Sequence, residues 1–353
     1  MYIELEKISK KYQNNQILTD VDLGIEEGSL TALLGPSGSG KTTILRIIAG
    51  LEAVEAGNIY IDGQRVNAVA PNKRGIGFVF QNYALFKHVD IYDNIAFGLR
   101  TQKIDEEVIE ARVNELLELT GLAGLGDRFP DQLSGGQKQR VAFARALAPN
   151  PKVLLLDEPF AAVDSKIRKE LRTWLKNLIH QVAITSVFVT HDHEEAIEVA
   201  DQIIVTNNGQ IEQRGTPFEI YSSPQSLFVA QFIGNGSTLQ NVPVNGFDAP
   251  DKKFAYTIRP ENIAIYKKEE KPLGIVEEAI VKEITFSGAR INVLLEYKGH
   301  LLRGERSIQQ SQLAVGETVG ILIHQLNIFS EKASQPCGAT KNKNIYTEIP
   351  YTI

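Results

Sequence analysis

Gly35, Gly40, Lys41 and Thr42 hold the spacing G-x-x-x-x-G-K-[ST] inside LTALLGPSGSGKTT, residues 30–43. The loop Gly35, Pro36, Ser37, Gly38, Ser39, Gly40 has the composition that lets successive backbone N–H groups converge on phosphate oxygens at a helix N-terminus. Lys41 then reaches the β- and γ-phosphates of a nucleoside triphosphate, the Thr42 hydroxyl ligates Mg²⁺, and Thr43 stands beside them at the helix start. The bland alternative is a Gly/Ser loop that only turns the chain. Its surroundings argue otherwise. Leu30 to Leu34 is an apolar run of parallel-strand type, and Ile44, Leu45, Ile47 and Ile48 give the next helix a buried face before Gly50 closes it.

Four further sites have residue types suited to the same chemistry. VLLL, residues 153–156, reads as a central strand ending in Asp157 and Glu158. Carboxylates at the carboxyl end of such a strand sit where doubly wound sheets bind ligands. Asp157 can hold Mg²⁺ and Glu158 can orient and deprotonate a water; the alternative is that they cap the next helix. LSGGQ, residues 133–137, offers Ser134 as an N-cap, with Gly135, Gly136 and Gln137 opening the helix that follows. It is a second candidate anion site, or a cap with no ligand. Gln81 follows the strand IGFVF and by itself reads as a turn residue, and His191 follows the strand SVFVT. Lys41, Gln81, Glu158 and His191 therefore all stand after strand ends, along one edge of a sheet. Tyr12, upstream of the phosphate loop, stacks on an adenine ring or packs in its strand. His191, Asp192 and His193 are too few ligands for a zinc site.

The elements that must position these residues follow from pattern. At 353 residues the chain is long for one core, so two domains are expected. Residues 1 to about 30 alternate as strands, residues 104–119 carry apolar positions at helical spacing, and Ser165 to His180 forms a helix with Trp174 on its buried side. Asn, Gly and Pro punctuate residues 235–250, a domain edge. Beyond it come short strands (YTIRP, NIAIY, ARINVLLEY, VGILIH) of a small β-barrel or sandwich. The net charge of −6, with no Lys/Arg block, argues against a nucleic-acid partner. The single cysteine excludes an internal disulfide. The N-terminus MYIELEKISKKYQ lacks the apolar core of a signal peptide, and no apolar run approaches the roughly 20 residues a bilayer needs.

Taken in order, GPSGSGKT, the strand-terminal Gln81, LSGGQ, VLLLDE and His191 resemble the ATP-hydrolysing subunit of an ABC transporter. The resemblance covers residues 1–235 and implies an α/β P-loop ATPase domain with a helical subdomain at about 82–150. The segment 236–353 is similar to the accessory all-β, OB-like domain of importers for sulfate, molybdate, iron and sugars. The resemblance further implies that Tyr12 stacks on adenine, that Gln81 contacts Mg²⁺ and the attacking water, and that His191 contacts the γ-phosphate. It implies that Ser134, Gly136 and Gln137 close over ATP held by a second copy of the chain. Asp164, after Ala162 and Val163, matches the dimer-contact loop, where Leu is commoner than Val163. Two transmembrane permease subunits and, indirectly, a solute-binding protein are the implied partners. The implied location is peripheral, on the cytoplasmic face of the cell membrane, or the stromal face for a plastid-encoded chain. GFVFQNYALFKHVDIYDNIAFGLR and TSVFVTHDHEEAIEVADQIIV look closest to sulfate/thiosulfate importer ATPases; sugar-importer relatives generally place Pro where Lys87 stands. Iron, molybdate, polyamine or sugar import are the alternatives. So are a soluble ABC ATPase of DNA repair or translation and a binding module without hydrolysis.

Overall fold

A computed structural model describes the chain except residues 14, 162, 241, 248–253, 271–273, 275, 331–335 and 344–353. It forms two compact units, Met1–Pro217 and Phe218–Ile353.

The first unit runs β1 (Ile3–Tyr12), β2 (Asn15–Ile25), β3 (Leu30–Leu34), α1 (Lys41–Ala49), β4 (Ala56–Ile61), β5 (Gln64–Arg65) and β6 (Ile76–Val79). It continues through α2 (Ile91–Thr101), α3 (Glu106–Leu119), α4 (Gly135–Leu147), β7 (Val153–Asp157), α5 (Ser165–Val182), β8 (Thr185–Thr190), α6 (His193–Val199), β9 (Gln202–Asn207) and β10 (Gln210–Gly215). One sheet has the order β10-β9-β3-β8-β7-β6, and a second, antiparallel sheet has the order β2-β1-β4-β5. In the first, β9, β3, β8, β7 and β6 run parallel, with Leu34 opposite Thr190, Asp157 opposite Val189 and Val79 opposite Leu156. Every residue of β3, β7 and β8 is buried, as uninterrupted apolar runs require when both faces of a sheet are covered. Ile44, Leu45, Ile47 and Ile48 of α1 share one core with Ile3, Leu5 and Ile25 of the antiparallel sheet and with Leu33 and Val187 of the parallel one.

The helical segment contains one helix more than the periodicity at 104–119 indicates. α2 is capped by Asp90, whose carboxylate accepts the Asp93 amide at 2.7 Å. Trp174 is half-buried rather than in the core: its ring meets the edge of Phe143 at 5.4 Å and lies under the Arg140 guanidinium at 5.0 Å.

The second unit opens with α7 (Pro217–Ser222) and α8 (Leu227–Phe232), followed by β11 (Ser237–Gln240), β12 (Phe254–Ile258), β13 (Ile263–Tyr266) and β14 (Glu277–Phe286). It ends with β15 (Arg290–Tyr297), β16 (His300–Ser307), β17 (Thr318–Ile323), β18 (Gln325–Ser330) and β19 (Pro336–Lys341). The five-stranded sheet β13-β17-β14-β15-β16 curls until its end strands β13 and β16 pack together, which gives a nearly closed, OB-like barrel. A separate four-stranded sheet, β11-β12-β18-β19, stands beside it and is not evident from the sequence.

The division after Pro217 falls earlier than the sequence boundary near Gly236, and Arg259 explains why. This buried side chain donates to the Ile233 and Tyr221 carbonyls at 2.6 and 2.5 Å and lies 3.8 Å from the Tyr221 ring centre. Residues 218–235 thus belong with the strands that follow them. A fragment beginning at Phe218 is expected to melt at a higher temperature than one beginning at Gly236. Loss of the two acceptors strands a buried guanidinium, at about 1–3 kcal/mol for each missing partner. Equal melting curves by circular dichroism would contradict that role for Arg259.

Candidate functional site

The phosphate loop spans the end of β3 and the start of α1. Gly35 cannot carry a side chain, because a Cβ there would lie 2.3 Å from the Thr206 carbonyl oxygen of β9. Gly40 has a left-handed backbone (φ +94°), and an added Cβ would meet Leu18 Cδ2 at 2.5 Å. Gly40 is also the N-cap of α1 and provides no side-chain hydrogen bond, so the first-turn amides face outward for a ligand. From below, the Ser39 hydroxyl bonds the Thr206 hydroxyl at 2.8 Å. Lys41 is folded into the loop, donating to the Gly35 and Pro36 carbonyls at 2.8 Å each. Burial lowers the pKa of its ammonium, an effect opposed by the negative charge of Glu158.

The other strand ends deliver their residues to the same rim. Thr42 Oγ1 donates to Asp157 Oδ1 at 3.3 Å, and Asp157 itself is buried. Desolvation raises its pKa, partly offset by the Thr42 bond and by Arg46. Glu158, the next residue, adopts φ +46°, a left-handed conformation uncommon for residues with a side chain. Its carboxylate accepts Gln81 Nε2 at 2.9 Å, while His191 Nδ1 lies 3.4 Å from its other oxygen. Lys41, Thr42, Asp157, Glu158, Gln81 and His191 are thus gathered at the carboxyl ends of β3, β7, β6 and β8. This donor set fits a metal–nucleotide: hard carboxylate, hydroxyl and amide oxygens suit Mg²⁺, and the ammonium and open amides suit phosphate.

Three predicted residues or groups stand apart from that cluster. Tyr12 is 40% exposed at the end of β1, with the Lys10 ammonium of the same strand 5.1 Å from its ring centre. Ser134 to Gln137 form a closed capping box at the start of α4. Ser134 Oγ accepts the Gln137 amide at 3.3 Å, and the Gln137 side chain accepts the Ser134 amide at 2.9 Å. Among the described residues these side chains make no hydrogen bond to the phosphate loop. Asp164 is exposed and caps α5 without a side-chain bond.

Several supporting residues escaped the sequence reading. Thr206 underlies the phosphate loop. The Thr190 hydroxyl, just before His191, donates to buried Glu195 at 2.6 Å and accepts the Asp192 amide at 3.0 Å. Arg172 of α5 then bonds Glu195 at 3.4 Å and Glu198 at 2.9 Å. A Glu on the buried side of a short helix beside His191 is the one signal that pointed to this network.

The family profile described as ABC transporter matches residues 18–161. The chain is 52% identical over 309 residues to the sulfate/thiosulfate import ATP-binding protein CysA of Thermosynechococcus vestitus, covering 86% of this chain and 91% of that protein. It is 45% identical over 356 residues to the protein of the same name from Bacillus cereus, covering 93% of this chain and 98% of that one. Its structure resembles a dimeric ATP-binding cassette solved in a post-hydrolysis state with ADP and phosphate. That likeness has a TM-score of 0.54 and 34% identity, covering 61% of this chain and 98% of that one. With both the loop geometry and the length of the match in agreement, the chain belongs to the ABC transporter family, among the ATP-binding proteins named for sulfate/thiosulfate import.

Proposed function

We propose that this chain hydrolyses ATP to drive import of sulfate or thiosulfate through a membrane ABC transporter. The observation that carries the hydrolytic reading is Glu158 accepting a hydrogen bond from Gln81, with His191 Nδ1 3.4 Å from its other oxygen, beside Lys41, Thr42 and Asp157 at one sheet rim. The outward amides of α1 bind the phosphates, and Lys41 leaves the Gly35 and Pro36 carbonyls for the more negative β- and γ-phosphate oxygens. Tyr12 stacks on the adenine with the face away from Lys10. Glu158 takes the proton of the attacking water, Gln81 orients that water, and His191 steadies the γ-phosphate through its imidazole. Phosphoryl transfer asks chiefly for such positioning and charge stabilisation. Thr42, Asp157 and Gln81 are the residues that would hold magnesium, which neutralises charge on the phosphate oxygens.

Ser134, Gly135, Gly136 and Gln137 act on the ATP of a second copy, where the N-terminus of α4 adds its partial positive charge. Nucleotide is then shared by two chains and stabilises their association. The membrane subunits dock at the groove of about 500 Å³ lined by Asn82, Tyr83, Leu85, Lys87 and His88. No described helix is long and apolar enough to cross a membrane, which agrees with a peripheral subunit held by permease partners on the cytoplasmic face. The transported solute rests on the curated relatives' names, since no residue of an ATPase site touches it.

Glu158→Gln is expected to lower kcat by about 10²–10⁴-fold, the usual contribution of a general base, while ATP binding persists and an ATP-bound dimer accumulates. Adding Ser134→Arg to that variant should leave a monomer on size exclusion with ATP. Rapid turnover in the first variant, or a normal dimer in the second, would refute the corresponding role.

Asp157→Asn is expected to stabilise the nucleotide-free protein. A carboxylate whose folded pKa is raised destabilises the fold fully above that pKa, and the effect disappears as pH falls below the unfolded value of about 4. The melting temperature should rise by about 2–4 °C at neutral pH, the shift that about 1 kcal/mol gives a domain of this size, and less at pH 4. The further rise caused by Mg²⁺-ATP should shrink. A lower melting temperature without nucleotide would contradict the desolvation argument.

For the solute, the chain reconstituted with its membrane and solute-binding partners is expected to show ATPase stimulation by sulfate or thiosulfate. Stimulation by molybdate, ferric iron or maltose alone would replace that assignment and leave the importer reading intact.

A further inference from the structure

The turn that follows Gln81 has an unfavourable shape, and a side chain from a distant part of the sequence bonds both of its strained carbonyls. Tyr83 and Ala84 are consecutive non-glycine residues with left-handed backbones, φ +61° and +49°. Each such residue costs about 1–3 kcal/mol and persists only where the surroundings impose it. Arg145, near the end of α4, supplies the constraint. Its Nη1 donates to the Ala84 carbonyl and its Nη2 to the Tyr83 carbonyl, both at 2.7 Å. The planar fork of a guanidinium matches two adjacent carbonyl oxygens, which the single ammonium of a lysine cannot do. The same guanidinium lies 5.5 Å from the ring centre of Phe86. On the far side of the turn, fully buried Asn94 accepts the Phe86 amide at 2.9 Å and donates to the Phe86 and Asp90 carbonyls at 3.1 and 2.8 Å.

The turn directly follows Gln81, which bonds Glu158; the Tyr83 and Ala84 amides bond the Phe80 and Asn82 carbonyls at 2.9 and 2.6 Å, and Arg145 holds both of their carbonyls from α4. Ser134 lies on the same helix, 11 residues earlier, which is roughly 16 Å at 1.5 Å per residue. We propose that Arg145 is a positioning residue for hydrolysis: by clamping the Tyr83 and Ala84 carbonyls it holds Gln81 against Glu158 and ties that contact to the helix that begins at Ser134. The inference rests on the assignment of Gln81 and Glu158 to the hydrolytic site. It adds to that site a residue that touches neither nucleotide nor water.

Steady-state ATP hydrolysis by the full chain tests it, comparing Arg145→Ala, Arg145→Lys, Gln81→Ala and the double variant Arg145→Ala/Gln81→Ala. Arg145→Ala should lower kcat by about tenfold, a moderate share of what a small misplacement of a catalytic group removes, with KM for ATP within about twofold. Arg145→Lys should fall between it and the unaltered protein, since one carbonyl keeps a donor. The decisive reading is non-additivity: the double variant should be no slower than Gln81→Ala, because Arg145 acts through Gln81. If Arg145→Ala does not fold, the same cycle is run with Arg145→Lys. Effects that multiply in the double variant, or a rise in KM as large as the fall in kcat, overturn the positioning role alone. An unchanged kcat in Gln81→Ala overturns the hydrolytic assignment of Gln81, and with it the basis of the inference.

Discussion

A parallel sheet covered on both faces takes ionisable groups only where its strands end, and the rest of this structure depends on that constraint. β3, β8 and β7 are buried along their whole length, so the chain changes from apolar to ionisable over one or two residues: Leu34 to the phosphate loop, Leu156 to Asp157 and Glu158, Thr190 to His191. Because these strands are parallel and in register, the changes fall on one rim. No side chain has to travel far to meet another. The register that buries Leu33 opposite Val189 also brings Lys41, Glu158, Gln81 and His191 together.

Burying two of these charged groups, Lys41 and Asp157, strains the protein. Lys41 and Asp157 are both buried, and burial pushes each pKa toward the neutral form. Glu158, Tyr83 and Ala84 all hold left-handed backbones without being glycine. Left-handed non-glycine residues also occur elsewhere, Lys7, Asp20 and Ala183 among them; what sets Glu158 apart is that its strained backbone adjoins the buried charges of Lys41 and Asp157. The phosphate loop satisfies its lysine internally through the Gly35 and Pro36 carbonyls. Phosphate oxygens carry full negative charge and compete easily with those neutral acceptors.

The legible part of this fold was the part where a residue type is demanded by chemistry or by a buried period. A loop with Gly35 against Thr206 and Gly40 at φ +94° leaves no alternative residue, so the motif shows in the letters. The apolar runs of β3 and β7 were equally plain. Supporting contacts were not legible, because they join residues far apart in sequence and use side chains common on any surface. Arg145 reads as an ordinary helix residue in FARAL, Thr206 as an ordinary strand residue, and Arg172 as a polar position of α5. The boundary near Gly236 followed composition, whereas the actual division follows the reach of Arg259 across 26 residues to Ile233. The sheet β11-β12-β18-β19 pairs strands from both ends of the second unit, and local pattern cannot reveal such pairing.

The two ends of α4 carry different contacts, and under the proposed function they face different partners. At its start the capping box of Ser134 and Gln137 satisfies itself, so the helix needs no ligand to be stable and its remaining first-turn amides stay available. Near its other end Arg145 grips the turn after Gln81. A rigid rod of 13 residues transmits a displacement at one end to the other with little loss, because its hydrogen bonds resist stretching more than its packing resists sliding. A second copy pressing ATP against Ser134 and a membrane partner filling the groove beside Tyr83 would therefore bias the same helix. If the proposed roles hold, a shift of α4 would be felt through Arg145 at the turn after Gln81, and assembly, docking and water activation would share one mechanical element.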